Sequence, residues 1–227
     1  IQMVEGECLA ITVVNDVPVE TLVALRDDPA LGSGDPTQPL GVSLHVHGVK
    51  YTQDSDGTLE TNSWVPPGQS RTYTWYAAPR VSAHGRVASL GTAGYWWYHD
   101  HVVGTAHGTG GLASGLAGGV VVRRPGDLKP DRKTFVVVMG PSQTINYKQH
   151  PNTDRFVAYR GERVELLVIN VGDDFHTFHL HGHNWANTRT GFLQSEADEA
   201  QLIDAKTIGP SETFGFHVIA GQSVGAA

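Results

Sequence analysis

Short stretches of alternating apolar and polar residues, separated by turns rich in glycine and proline, follow one another along the chain. In Cys8–Val14 the side chains of Leu9, Ile11 and Val13 fall on one face, and Asn15 ends the stretch. A period of two is typical of a β-strand with one buried face. Residues 71–76 alternate in the same way, and further strands are predicted at 42–51, 95–103, 120–124 and 133–139.

The first two predicted strands are separated by a long connection, Val17–Gly41, in which Glu20–Arg26 has the pattern of one or two helical turns. Elsewhere 27 glycines and 12 prolines punctuate short valine-rich runs. A hydrophobic content of 40% and a charged content of 17% are typical of a globular protein. These features together predict an all-β fold with many short strands.

The second half of the chain repeats the first. Gly6–Asn15 aligns with Gly161–Asn170 without a gap, and the His-x-His-Gly sequence at 45–48 recurs at 179–182. A proline- and glycine-containing turn at 67–70 resembles the one at 209–212. Two copies of one β-unit explain this self-similarity, and we expect two β-sandwiches.

The linker between the two sandwiches is predicted at residues 125–131, where proline, glycine and charged residues separate two valine-rich runs. The first domain is then 1–124 and the second 132–227. In the first domain, His99 follows His45 by 54 positions, and the same offset from His179 passes Ala227. We therefore expect the second domain to be incomplete at its C-terminus, without its last strand or two.

Histidines carry the candidate chemistry. The chain has 12 histidines and one cysteine, Cys8, which excludes an internal disulfide and a cysteine-rich zinc or iron–sulfur site. Neutral imidazole is the commonest metal ligand, and an imidazole set of this kind suits copper, zinc, iron or nickel. His179 and His181 should share one side of a strand and His176 another, so this stretch could serve two metal centres.

Two classes of partner are disfavoured. The formal net charge of −7 argues against nucleic acid, whose phosphates require a basic surface. No run of 18 apolar residues predicts a membrane span. The chain starts at Ile1 with no visible signal peptide, so we expect a processed or trimmed product.

Three motifs in this order resemble the multicopper oxidases, and in particular the two-domain (small) laccases of bacteria. They are the paired His-x-His-Gly sequences, Tyr-His-Asp-His-Val at 98–102, and His-Thr-Phe-His-Leu-His-Gly-His at 176–183. The resemblance implies two cupredoxin-like Greek-key β-sandwiches. It also implies a secreted or periplasmic homotrimer, with copper clusters between the first domain of one subunit and the second domain of its neighbour.

The resemblance assigns seven histidines to copper. They are His45 and His179 for the type 2 copper, His47, His99, His101 and His181 for the type 3 pair, and His176 for the type 1 copper. Phenols or similar reductants would each lose one electron, and four electrons would reduce dioxygen to water.

The chain departs from the family at the type 1 site. Members carry a C-terminal His-Cys-His segment, which this sequence does not contain, so the expected cysteine ligand of the type 1 copper is missing. Asp100 stands where a type 1 domain would have cysteine, which predicts no type 1 copper in the first domain. The repeat places Cys8 at an early strand, so it cannot replace that thiolate.

Three further residues are candidates for catalysis. Tyr51 could be an electron donor beside the cluster or a packed tyrosine. Asp56 is the candidate proton donor, although turn chemistry alone would explain it. Asp204 is a candidate for orienting a ligand imidazole. The other histidines are predicted to be structural or second-sphere (His107, His183) or to lie in loops or at the surface (His84, His150, His217).

Three functions remain open. The first is a laccase-type multicopper oxidase. The second is a copper-binding module or inactive fragment without a type 1 site. The third, and least favoured, is a two-domain copper nitrite reductase, a family that places cysteine where this chain has Asp100.

Overall fold

A computed structural model describes residues 1–193 and 200–221 of the chain. The chain divides into two compact units, Ile1–Pro125 and Gly126–Ala227. Both are built mainly of β-strands, as the alternating pattern predicts. None of the helices in the described ranges is long and apolar enough to cross a membrane.

The first unit contains nine strands and two α-helices within the described residues. The strands are β1 (Gln2–Val4), β2 (Cys8–Val14), β3 (His45–Val46), β4 (Lys50–Tyr51), β5 (Ser70–Tyr76), β6 (Val81–Ala83), β7 (Arg86–Ser89), β8 (Gly94–His99) and β9 (Ala117–Arg123). The helices are α1 (Val19–Asp27) and α2 (Thr109–Ala113), and a 3-10 turn covers Gln53–Ser55. Helix α1 confirms the helical turns predicted in the long connection.

The described part of the second unit is built only of strands and one 3-10 turn, Pro141–Gln143. The strands are β10 (Phe135–Gly140), β11 (Thr144–Ile145), β12 (Arg163–Asn170), β13 (His176–His179), β14 (Trp185–Ala186), β15 (Leu202–Ile203), β16 (Ala205–Ile208) and β17 (Thr213–Ile219).

Two sheets enclose the core of the first unit. One has the strand order β1-β9-β8-β3 and the other β2-β5-β4. Strand β2 pairs antiparallel with β5, so that Leu9 faces Trp75 and Ile11 faces Tyr73. Trp75 and Tyr73 are fully buried, and they pack in one cluster with Val46. The apolar face of the alternating pattern thus forms the interior of a sandwich.

The second unit is organised around the four-stranded sheet β11-β10-β12-β17. Strand β12 is parallel to β10 and antiparallel to β17. Its residues from Val164 to Asn170 are all buried, which explains why its sequence is a nearly continuous apolar run. Phe216 and Trp185 stack with ring centroids 4.0 Å apart in the core beside this sheet.

The internal repeat extends to individual hydrogen bonds. The side-chain amide of Asn15 donates to the carbonyl of Val65, and its oxygen accepts the N–H of Val17. Asn170 repeats both bonds, with Ile208 and Gly172 as partners. Each asparagine is buried and ties the end of a strand to a distant segment of the same unit.

These equivalent bonds correct the sequence alignment of the second turn. The N–H of Gly68 donates to the carbonyl of Asn15, and the N–H of Ser211 donates to that of Asn170. Both residues have positive φ, +72° and +65°. Residues 67–70 therefore correspond to 210–213 and not to 209–212. The backbone conformation of the turn, which residue types only partly reveal, sets this register.

Two predicted strands are shorter than expected. The stretch 42–51 is interrupted at Gly48, where φ is +79° and a Cβ atom would lie 1.9 Å from the ring of Trp96. The stretch 95–103 ends at His99. Both interruptions occur at a His-x-His pair, so that His45 and His99 lie on strands whereas His47 and His101 lie just beyond strand ends.

Replacing Asn15 with alanine tests the role of the repeated asparagine. The substitution removes the buried donor to Val65, and we expect the free energy of unfolding to fall by about 1–3 kcal/mol. Urea unfolding of Asn15→Ala measures this loss. Asn152→Ala, at an exposed position, is the control and should change stability by less than about 0.5 kcal/mol. Equal effects of the two substitutions would contradict the assignment.

Candidate metal centre

Four imidazole rings of the first unit lie together at one end of the sheet that contains β8. His45 on β3 is directly opposite His99, the last residue of β8. His47 and His101 follow these two residues by two positions each. The ring centroid of His45 is 5.2 Å from that of His47, 5.5 Å from that of His99 and 5.0 Å from that of His101. Two strands and their turns thus bring both predicted pairs into one cluster.

The ring nitrogens of this cluster face one another. One nitrogen from each of His45, His47 and His99 lies within 4.8 Å of the others. The Nε2 atoms of His47 and His99 are 3.2 Å apart. This spacing lets several nitrogen lone pairs converge on a small common volume.

The same type of hydrogen bond orients the imidazole rings of three histidines in the two units. Nδ1 of His45 lies 2.6 Å from the carbonyl oxygen of Asp56, and Nδ1 of His99 lies 2.7 Å from that of Asp100. In the second unit, Nδ1 of His179 lies 2.8 Å from the carbonyl oxygen of Asp204. A carbonyl oxygen only accepts, so each Nδ1 must carry the hydrogen. Each Nε2 is then an unprotonated potential ligand.

Burial lowers the pKa of three of the four clustered rings, those of His47, His99 and His101. It lowers the pKa of His47 to about 4, with the neighbouring His45 and His101 as smaller causes. Burial also lowers the pKa of His99 to about 3 and is the main reason that the pKa of His101 is lowered. Neutral imidazole is the form that binds a metal, so the cluster is available as a ligand set at neutral pH.

Trp97 supports two of the four rings. Its side chain is 2% exposed and stacks on His99 with centroids 4.3 Å apart, and on His47 at 4.8 Å. The backbone N–H of His47 also donates to the carbonyl of Trp97. This support could not be predicted from the sequence, which does not show which residues a buried indole contacts.

Asp100 is a buried structural acceptor between two of the histidines. Its side chain is 1% exposed and accepts the backbone N–H groups of Ser43 at 2.7 Å, Val102 at 3.0 Å and Val103 at 2.6 Å. The Ser43 hydroxyl in turn accepts the N–H of His101. Burial outweighs these bonds and raises the pKa of Asp100 to about 6. The carboxylate bends the chain after His99 and holds His101 in place.

Asp56 and Tyr51 both lie beside His45. The Asp56 carboxylate is 3.6 Å from Nδ1 of His45, and the Tyr51 ring centroid is 6.0 Å from the His45 ring. Burial, then the charge of Asp56 and a hydrogen bond with it, raises the pKa of Tyr51. The structure therefore brings these two candidates together at the rim of the cluster.

The predicted ligands of the second unit lie on and just after β13. Strand β13 ends at His179, so His181 is outside it, yet their ring centroids are only 4.8 Å apart. His176, at the start of β13, is paired with Ile208. Asp204 contacts His179 through its carbonyl, and its carboxylate is 3.9 Å from the same Nδ1. Asp204 therefore lies beside His179, one of the predicted ligands.

The repeat shows where the two units differ. His176 pairs with Ile208 as Val42 pairs with Val65 in the first unit. The first unit therefore has valine at the position of the predicted type 1 ligand, and Asp100 where a thiolate would be needed.

The remaining histidines include one wrong prediction. His217 was expected in a loop or at the surface, but it lies on β17, is 3% exposed and has Nε2 3.0 Å from the carboxylate of Glu165. Because both faces of β17 are covered, strand alternation gave no signal of its burial. His183 hydrogen-bonds through both nitrogens, and the His107 ring is 5.2 Å from that of His101.

The donor set fits copper. The four clustered side chains of the first unit offer imidazole nitrogen, and no cysteine or carboxylate belongs to the metal-binding group found among the described residues. For nitrogen ligands the affinity of divalent metals rises to a maximum at copper. The unprotonated Nε2 atoms and the neutral rings are the states that such binding requires.

Replacing Asp100 with alanine should weaken both the fold and the cluster. Three buried N–H groups would lose their acceptor, so we expect the free energy of unfolding to fall by about 3 kcal/mol, partly offset by removal of a buried carboxylate. Chemical unfolding of the copper-free protein measures the change. Asp154→Ala, at an exposed ion pair, is the control. An equally small effect of both substitutions on the free energy of unfolding would show that the Asp100 carboxylate does not stabilise the fold.

The pH dependence of stability tests the burial of neutral histidine. The unfolded chain binds a proton to each histidine near pH ~6.5, whereas folded His99 does so only near pH 3. Stability of the copper-free protein should therefore fall as the pH is lowered from ~6.5 to ~4. His99→Gln should reduce this slope by up to ~1.4 kcal/mol per pH unit. His84→Gln, at an exposed position, should leave it unchanged; an unaltered slope in His99→Gln would refute the assignment.

Comparison with known proteins identifies relatives of both halves of the chain. Residues 123–214 match the family model of the multicopper oxidases. Over 205 residues the chain is 31% identical to a probable nitrite reductase-hydroxylamine oxidoreductase fusion protein from Kuenenia stuttgartiensis. That alignment covers 81% of this chain and 22% of the relative, so the chain spans about a fifth of the relative's length.

Solved structures agree on the fold. A blue copper oxidase from Nitrosomonas europaea superposes with a TM-score of 0.60 and 23% identity, covering 94% of this chain and 64% of that one. A copper nitrite reductase from the same organism gives a TM-score of 0.57 and 17% identity, with coverages of 98% and 73%. Residues 123–214 thus match a multicopper oxidase domain, and the solved structures show that the chain has a cupredoxin-like fold.

Proposed function

We propose that the protein is a laccase-type multicopper oxidase, which removes single electrons from phenols or similar reductants and reduces dioxygen to water. The observation that carries this proposal is the cluster of four imidazoles in the first unit, with converging nitrogens. The multicopper oxidase match of residues 123–214 supports it.

The proposed copper ligands come from both units. We propose His45 and His179 for type 2 copper, and His47, His99, His101 and His181 for the type 3 pair. His176 would bind type 1 copper, whose cysteine ligand is not in this sequence. Bound copper would supply one-electron redox chemistry and a site for dioxygen.

Because the ligands of the first unit belong to a rigid sheet end, they are held in place before any metal binds. The stacked Trp97 and the buried Asp100 restrict movement of His47, His99 and His101. The carbonyl groups of Asp56 and Asp100 keep the hydrogen on Nδ1 of His45 and His99. A preorganised set of this kind lowers the cost of ordering side chains on binding.

Tyr51, Asp56 and Asp204 are the proposed catalytic residues. Reduction of dioxygen to water consumes four protons, and Asp56 is a half-buried carboxylate at the edge of the cluster. Tyr51 lies on the same side of His45 and could donate an electron and a proton. Asp204 orients His179 through its carbonyl group.

A copper nitrite reductase is the second candidate, favoured by the name of the Kuenenia relative and by the nitrite reductase fold match. Such an enzyme requires a thiolate ligand in the first unit. Asp100 occupies that place and accepts three backbone N–H groups. Its structural role argues for the oxidase, and a copper-binding module without turnover remains the third candidate.

The proposed assembly is a secreted or periplasmic homotrimer in which the histidines of one subunit's first domain and its neighbour's second domain share a cluster. The two-domain family resemblance supports this arrangement, and the exposure of the His179 side chain, 43%, leaves that ligand accessible to a partner.

Copper content and oxygen consumption of the copper-loaded protein test the function. We expect a methoxyphenol to be oxidised with about four phenols consumed per dioxygen, and His47→Ala to bind less copper and lose this activity. His84→Ala, at an exposed position, should retain both. Reduction of nitrite instead of dioxygen would favour the nitrite reductase, and copper binding without either reaction would favour the binding module.

A further inference from the structure

The peptide group between Asp56 and Gly57 is held from both sides. Its carbonyl oxygen accepts the hydrogen bond from Nδ1 of His45, at 2.6 Å. Its N–H, on Gly57, donates to the hydroxyl oxygen of Ser63 at 2.7 Å. The orientation of this one peptide plane therefore determines whether His45 has an acceptor for its Nδ1 hydrogen.

Ser63 is well placed to hold that plane. It is fully buried, and its hydroxyl oxygen also accepts the N–H of Thr58 at 3.3 Å. The hydroxyl group forms a further hydrogen bond, 2.5 Å long, with that of Thr61. Three contacts fix the Ser63 side chain, which restricts rotation of the 56–57 peptide.

Gly57 makes such a restraint necessary. It has φ of +79°, and a Cβ atom there would lie 2.6 Å from the carbonyl oxygen of Leu44. Only glycine fits this close approach to the strand that carries His45. Glycine is also the residue whose backbone rotates most freely, so an external contact is needed to keep the peptide in one orientation.

Thr58 holds the Asp56 side chain in the same way. Its hydroxyl donates to one carboxylate oxygen of Asp56 at 2.7 Å, and the other oxygen remains 3.6 Å from Nδ1 of His45. Thr58 and Thr61 are joined by a hydroxyl contact of 3.0 Å. Both the carbonyl and the carboxylate of Asp56 are thus positioned by one hydroxyl network.

The second unit has the carbonyl contact without this network. Nδ1 of His179 meets the Asp204 carbonyl, but the Asp204 side chain is 57% exposed. Across residues 1–193 and 200–221, the hydrogen bonds of Asp204 involve its backbone carbonyl and none reaches its carboxylate from a hydroxyl group. The hydroxyl network is therefore specific to His45.

We propose that Ser63, supported by Thr58, is a positioning residue that sets the tautomer of His45. By holding the 56–57 peptide, Ser63 keeps the hydrogen on Nδ1 and leaves Nε2 free as a ligand. The relevance of this control to copper rests on the proposed function, whereas the tautomer itself is a property of the metal-free chain.

Nitrogen-15 NMR of the His45 ring in the copper-free, full-length protein tests the proposal. At about pH 8, where an ordinary imidazole is neutral, the wild type should show a protonated Nδ1 and an unprotonated Nε2. Ser63→Ala should shift His45 toward a mixture of the two tautomers. Ser63→Thr, which keeps the hydroxyl, should restore the wild-type signals, and His179 should be unaffected in all variants.

Copper titration provides the second readout. We expect Ser63→Ala to weaken copper binding at the cluster about tenfold, the size typical of losing an outer-sphere partner. If Ser63→Ala does not fold, Thr58→Val compared with Thr58→Ser makes the same test through the Asp56 carboxylate. Thr72→Val, which breaks an exposed hydroxyl pair with Thr12, is the control for removing a hydroxyl elsewhere.

Unchanged His45 ring signals in Ser63→Ala, with only a lower melting temperature, would overturn the proposal and leave Ser63 a purely structural residue. Identical ring signals in Thr58→Val and Thr58→Ser would overturn the supporting role proposed for Thr58. Because the NMR measurement needs neither copper nor substrate, its result is independent of whether the protein proves to be an oxidase.

Discussion

Hydrogen bonds from imidazole Nδ1 to backbone carbonyl oxygens orient three of the predicted copper ligands, two in the first unit and one in the second. His45, His99 and His179 each make one, with Asp56, Asp100 and Asp204 as partners. In each case the backbone carbonyl of the aspartate accepts the hydrogen bond, and the carboxylate makes other contacts. A carbonyl cannot rotate away without moving the backbone, so it fixes a ring more firmly than a flexible side chain could. The ligand nitrogens are thereby selected by the fold itself.

Duplication of one β-unit explains why the two halves share a frame and differ at single positions on it. Asn15 and Asn170 make the same pair of hydrogen bonds, so the frame of the two units is shared. On this frame, Val42 and His176 occupy equivalent positions. At this strand pairing the first unit therefore has a buried valine and the second unit an imidazole.

Burial of polar groups around the cluster has an energetic cost that the structure offsets locally. The Asp100 carboxylate and the Ser63 hydroxyl are almost inaccessible to water, and each accepts at least two backbone N–H groups. A buried polar group that keeps its hydrogen-bond partners reduces stability little. Removing one partner leaves the other group unsatisfied, and its full desolvation penalty then lowers the stability. These residues therefore give the histidines a defined geometry at modest expense in stability.

The sequence by itself determined the all-β class, the duplication, the copper-type motifs and the lack of a thiolate between His99 and His101. Those features follow from residue type and spacing along the chain. Tertiary structure decided which groups surround each histidine: the Trp97 ring, the Ser63 hydroxyl and the burial of His217 had no local signal. The reason is physical, because a strand's alternation reports only that one face is buried. The partners that a buried side chain meets come from distant segments, and their positions depend on turns such as those at Gly48 and Gly57.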